Sequence, residues 1–174
     1  MTLAVPISTA PSGGPLPAPT GLLVAGIGEM VLTADPSVGL IAYGLGSCVA
    51  LSVWDVRTKV AALAHFMLPA GSTGGAAVKF VDTGLPVLLG AFEARGGAIR
   101  AAQFKAAGGA AMLAINTGAL EIGRRNAEAV VQALAARGIR LAASDFGGTS
   151  GRTVQLEVPN GRLHVRSVAK ATVL

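Results

Sequence analysis

The chain has 174 residues, 52% of them hydrophobic and only 13% charged, with a formal net charge of +5, which suits one densely packed domain. No apolar run reaches the roughly 18 residues of a membrane-spanning helix, so no membrane insertion is expected. One cysteine and two histidines exclude an internal disulfide and a Cys/His metal cluster, and point to a reducing, cytoplasmic setting with no metal or other cofactor.

Residues 1–20, "MTLAVPISTAPSGGPLPAPT", are rich in Pro, Ser, Thr and Gly and lack the basic and continuous apolar regions of a signal peptide. They read as a flexible tail ahead of one domain at 21–174. Every Lys and Arg lies at or after Arg57, but the charges are dispersed, with no run longer than Arg124-Arg125 and no interleaved aromatics. This pattern is solvated surface rather than a nucleic-acid footprint, and no nucleic-acid partner is expected.

After the tail, "GLLVAGIGEMVL" and "VGLIAYG" read as short buried strands separated by the turn residues "ADPS". In "CVALSVWD" the residues Val49, Leu51 and Val53 alternate with Cys48, Ala50 and Ser52, the signature of a strand with two different faces. The run "KVAALAHF" follows a polar connector around "VRT", and the two strands form an antiparallel hairpin. Leu85, Leu88, Leu89 and Phe92 have helical spacing, with Gly96 and Gly97 as a stop and Pro86 placed in the first turn. Ala127, Val130, Val131 and Leu134 define a second helix, with Asn126 as N-cap and Gly138 just past its end. Between the helices "AIRAAQFKAA" reads as a strand entering a glycine turn. The chain closes with "IRLAASDFGG" and a hairpin of "RTVQLEV" and "RLHVRSV" joined by "PNG". The sum is a strand-rich α/β domain of two or three layers.

The hairpin brings chemistry together. A connector of even length centred between Val56 and Arg57 places Cys48 opposite His65, on one face, with Cβ atoms about 5 Å apart. An odd connector slips the register by one and places Phe66 there instead. Beside an imidazolium a thiol ionises more readily, and His65 would take its proton and later return one to a leaving group. Gly44 and Gly46 in "GLGSC" allow a sharp turn that exposes N–H groups to a developing oxyanion. A single cysteine in an apolar strand is ordinarily a small core residue, and a single histidine beside Ala64 and Phe66 is ordinarily a satisfied one. Composition and spacing alone leave both readings open.

The string "GLGSCVALSVWD" followed by "ALAHFMLP" resembles the chemoreceptor glutamine deamidase family, CheD. "KFVDTG", "KAAGGAAM", "IGRRNAEAV" and "DFGGTSGRTV" match further stretches of that family in the same order, so the resemblance runs from about Gly26 to Val168. It implies hydrolysis of particular glutamine side chains to glutamate in methyl-accepting chemotaxis receptors. The implied fold is a strand-rich α/β/β sandwich similar to toxin-type glutamine deamidases. The family's nucleophile falls on Cys48 and its catalytic histidine on His65. Its third residue, a threonine six positions before the cysteine, falls on Ala42, whose methyl group can neither donate nor accept a hydrogen bond. Ser47 supplies a nearby hydroxyl and an N–H to the oxyanion site.

The resemblance also implies a CheC-type phosphatase as partner. A binding module acting mainly through that partner, with weak catalysis because of Ala42, is therefore the alternative function. Asp82 is expected to cap the first helix, Gly108-Gly109 and Gly147-Gly148 to form turns, and His164 to have no role.

Overall fold

The computed structural model describes residues 19–71, 76–111 and 117–174. Apart from Pro19 and Thr20, the tail expected at 1–20 lies outside the described residues, as does Met112 of "KAAGGAAM".

Among these residues ten strands form two five-stranded sheets. The outer sheet has the order β1 (Gly21–Val24), β3 (Val38–Leu45), β8 (Arg152–Glu157), β9 (Leu163–Ser167), β10 (Ala171–Val173). The middle sheet has the order β2 (Met30–Thr33), β5 (Ala61–Phe66), β4 (Val49–Asp55), β6 (Ala102–Gly108), β7 (Ala143–Phe146). Each is mixed, because β1 runs parallel to β3 and β6 parallel to β7.

The alternation in β4 separates two cores. Val49, Leu51 and Val53, with Ala62, Ala64 and Phe66 of β5, cluster with Leu85, Leu88 and Phe92 of α1 (Val81–Ala94) and Val130 and Leu134 of α2 (Thr117–Ala135). Cys48, Ala50, Trp54, Ala61 and Leu63 cluster with Leu40, Ala42, Val154, Leu156, Leu163 and Val165 of the outer sheet. The layers are therefore helices, middle sheet and outer sheet, an α/β/β arrangement in a single domain. Every residue of β4 is buried, and from Val49 to Trp54 the strand carries apolar or small residues on both faces. Trp54 ties the sheets together, its Nε1–H donating to the Val158 carbonyl at 2.7 Å.

Several expectations need correction. "GLLVAGIGEMVL" is not one buried strand but two edge strands: β1 is the edge of the outer sheet, with Leu22, Leu23 and Val24 at 43%, 38% and 49% exposure, and β2 is the edge of the other sheet. The chain crosses between the sheets at 25–29, where Gly26 N–H is taken by the Glu29 carboxylate. Pro86 is the sixth residue of α1 rather than part of its first turn, because the helix begins at Val81. Asp82 is not the N-cap, a position held by Phe80. Its carboxylate instead accepts the N–H of Thr83 at 2.8 Å, inside the first turn. The second helix begins at Thr117, ten residues before Ala127, so Asn126 is an interior residue and not a cap. Val131 is 45% exposed, leaving Val130 and Leu134 to face the core. The closing strand β10 was not anticipated.

Candidate active site

Cys48 follows the turn that ends β3 and immediately precedes β4. Gly44 turns the chain with φ +65°, and Gly46 N–H closes back on the Gly44 carbonyl at 2.8 Å. The turn is then held from behind at three successive carbonyls. Gly46 O accepts from Ala110 N–H, Ser47 O from Asn126 Nδ2 and Cys48 O from Gly109 N–H, each at 2.8 Å. Among the described residues no backbone carbonyl takes the N–H of Ser47 or of Cys48, and the Cys48 N–H is engaged only by its own sulfur.

The hairpin register differs from the one expected. Ala50, not Cys48, lies opposite His65, and Val49 lies opposite Phe66. The connector is even, as the pairing required, but it is centred between Arg57 and Thr58, one residue later. The Asp55 carboxylate takes Arg57 N–H at 2.8 Å, Lys59 adopts φ +58°, and Asp55 N–H reaches the Val60 carbonyl at 3.0 Å, leaving 56–59 as a four-residue loop. A shift of two residues per pair preserves the face. Cys48 and His65 therefore remain on the same side of the middle sheet as diagonal neighbours, a spacing of about 7 Å between backbones that an imidazole can span.

His65 is only 1% exposed. Its backbone is bound on both sides by the crossing segment, with His65 N–H donating to Glu29 O and Gly28 N–H donating to His65 O, each at 2.9 Å. The same segment holds the ring, since Nδ1 lies 3.2 Å from the Ala25 carbonyl. A carbonyl only accepts, so Nδ1 carries the proton and the lone pair of the neutral ring is on Nε2. Nε2 is buried and has no hydrogen-bond partner among the described residues.

Electrostatics also depart from expectation. Burial pushes the Cys48 thiol above its ordinary pKa, against a lowering pull from its own N–H. Burial pushes the His65 imidazole below its ordinary value, opposed by the hydrogen bond to Ala25. Each shift favours the neutral form, a thiol and a free base on one face instead of a preformed thiolate–imidazolium pair.

Ala42, on β3 opposite Val154, is fully buried in the intersheet core that also contains Cys48. Ser47 lies in the turn, bound through its carbonyl. Gly108 (φ +126°), the last residue of β6, and Gly109 (φ +64°) lie against Cys48, and Gly147 N–H joins them by donating to Gly108 O at 3.0 Å. His164 pairs with Glu157 at 2.5 Å in the outer sheet. Arg124 is exposed and pairs with Glu128 at 2.7 Å.

The fold and site together define an α/β/β domain with a candidate thiol-dependent hydrolytic centre. A family model described as CheD chemotactic sensory transduction matches residues 67–167. The chain is 41% identical over 155 residues to the probable chemoreceptor glutamine deamidase CheD of Symbiobacterium thermophilum, covering 86% of this chain and 94% of that protein. It is 39% identical over 146 residues to the chemoreceptor glutamine deamidase CheD of Thermotoga maritima, covering 83% and 91%. The chain belongs to the CheD family. The family-model match begins at Met67, beyond both Cys48 and His65, so the geometry above bears on that pair independently.

Proposed function

We propose that this protein hydrolyses glutamine side-chain amides to glutamate in methyl-accepting chemotaxis receptors, with Cys48 as nucleophile and His65 as general base and acid. The observation that carries the reading is the unpartnered, buried Nε2 of His65 on the face it shares with Cys48, its tautomer set by the Ala25 carbonyl. The named activity of the relatives supports the substrate class. The layer order supports the kinship with toxin-type glutamine deamidases. Cys48, only 9% exposed, suits a side chain delivered by a protein surface better than a free small molecule. A large cleft of about 730 Å³, lined by Arg100, Arg137 and Arg140, lies elsewhere.

Nε2 takes the Sγ proton as sulfur attacks the amide carbon, and the N–H groups of Ser47 and Cys48 receive the oxyanion. Collapse expels ammonia with the proton held by the imidazolium, leaving a thioester. Water then gives a proton to Nε2 and its oxygen to the acyl carbon. The second tetrahedral species releases the glutamate side chain and the thiol recovers its proton. No metal or other cofactor enters this scheme.

Incubation with a receptor cytoplasmic fragment, followed by mass spectrometry of amide-to-acid conversion, tests the proposal. Wild type is expected to convert specific glutamines and Cys48→Ala to leave them as amides. Equal conversion by both removes the assignment.

The runner-up, a binding module acting through a CheC-type phosphatase, draws on Ala42. The Ala25 carbonyl already performs the orienting task that a third residue would serve, which favours catalysis. Ala42→Thr is accordingly expected to leave kcat within about threefold while lowering stability by about 1–3 kcal/mol, since the added atoms enter a fully buried position. Urea unfolding together with the deamidation assay checks both halves. A large rise in kcat would show that the missing hydroxyl limits the enzyme.

A further inference from the structure

Asn126 is fully buried in the interior of α2, far along the chain from Cys48. Its Nδ2 donates to the carbonyl of Ser47 at 2.8 Å and to the carbonyl of Met67 at 2.9 Å. Both partners only accept, so the orientation of the amide is decided by chemistry: the flipped rotamer would set Oδ1 against two carbonyl oxygens. Oδ1 itself has no partner among the described residues. Ser47 and Met67 flank the last pair of the hairpin, Val49 with Phe66, so one side-chain amide spans the open end of the β4–β5 pair where the thiol is presented.

The helix is brought close enough to do this by Gly123, one turn earlier on α2. A Cβ there would lie 2.7 Å from the carbonyl oxygens of both Gly109 and Ala110, the residues whose N–H groups bind Cys48 O and Gly46 O. Helix, glycine turn and nucleophile turn are thus one packed unit.

We infer that Asn126 is a positioning residue for the deamidation, holding the Ser47–Cys48 peptide so that its N–H faces the reacting carbonyl; the inference rests on the deamidase reading above. In a trans peptide the N–H points opposite to the C=O. With the Ser47 carbonyl bound toward α2, the Cys48 N–H is directed away from the helix, and among the described residues it is engaged only by its own sulfur. Without the amide, nothing on that carbonyl opposes rotation of the peptide. The rotated peptide would bury the N–H and turn an oxygen toward the developing oxyanion.

The discriminating measurement compares acyl chemistry with alkylation in the full chain. Alkylation of Cys48 by iodoacetamide displaces iodide at a saturated carbon and forms no oxyanion, so it reports the thiol and His65 but not the peptide. For Asn126→Leu, kcat is expected to fall about 10²-fold or more, the magnitude of one lost oxyanion donor. KM should stay within about threefold, and the alkylation rate and its pH profile should be retained. An unchanged kcat in the folded variant, or an alkylation rate that falls in step with kcat, overturns the inference. Should Asn126→Leu fail to fold, Asn126→Asp keeps the shape and is read in the same way. In wild type, both side-chain amide protons of Asn126 should exchange slowly by NMR; rapid exchange of the pair also overturns it. Failure of the deamidase reading would appear differently, as equal conversion by wild type and Cys48→Ala, and would remove the inference with it.

Discussion

His65→Gln is expected to lower kcat for receptor deamidation about 10³-fold at pH 7, with a deficit that narrows as the pH rises. The reason lies in two opposed shifts. Burial holds the imidazole below its ordinary pKa, so its base form is present at neutral pH and is lost only as the pH falls below about 6.5. Burial holds the thiol above its ordinary pKa, so few thiolates form unaided near pH 7. Wild type attacks through proton transfer to Nε2. The variant depends on spontaneous ionisation and gains about tenfold per pH unit until the thiol titrates, above about 8.5. Iodoacetamide gives an independent check, because alkylation follows the thiolate. In wild type its rate should climb through and beyond pH 8.5. A rate already at its plateau below pH 7 would mean a preformed thiolate, and the general-base scheme would be wrong.

The face shared by these groups was legible in the sequence, while their register was not. Alternation of Val49, Leu51 and Val53 with Cys48 and Ala50 assigns sides, and an error of two residues leaves sides unchanged. The position of the loop depended on the Asp55 carboxylate and on Lys59 at positive φ, neither of which has a distinctive local pattern. The N-terminal half of α2 escaped notice because "TGALEIG" has two glycines, which weaken a helical signal. One of them, Gly123, is explained by a close approach that only tertiary structure shows. The same holds for Asn126, which bonds carbonyls 79 and 59 residues away, and which read as a cap because that is the usual local use of Asn. Ala25 acts through its backbone, so its identity carries no signal at all. Chemistry-bearing side chains could be found in the sequence; the groups that aim them are mostly backbone or distant, and could not.

Gly108→Ala should be the most damaging substitution outside the reacting pair. A Cβ at Gly108 would lie 2.2 Å from the Cys48 carbonyl oxygen and 3.0 Å from Val49 Cα, both of them backbone atoms that cannot rotate away. The position also has φ +126°, which L residues rarely adopt. Strain and overlap together are expected to cost about 3 kcal/mol of stability. Relief requires β4 and β6 to part where Val49 pairs with Gly108, which moves the nucleophile by close to an ångström relative to His65 on β5. A displacement of that size costs about 10² in rate even when every catalytic group is retained. Gly90→Ala, in α1 with nothing within 4 Å of its would-be Cβ, isolates the effect of adding a methyl group and should stabilise by about 0.5–1 kcal/mol with kcat unchanged. Urea midpoints and kcat measured for the two variants side by side decide the matter. A Gly108→Ala protein with wild-type midpoint and rate would mean that Cys48 is not held by the glycine turn, and the rigid seating that links α2, the turn and the thiol would have to be abandoned.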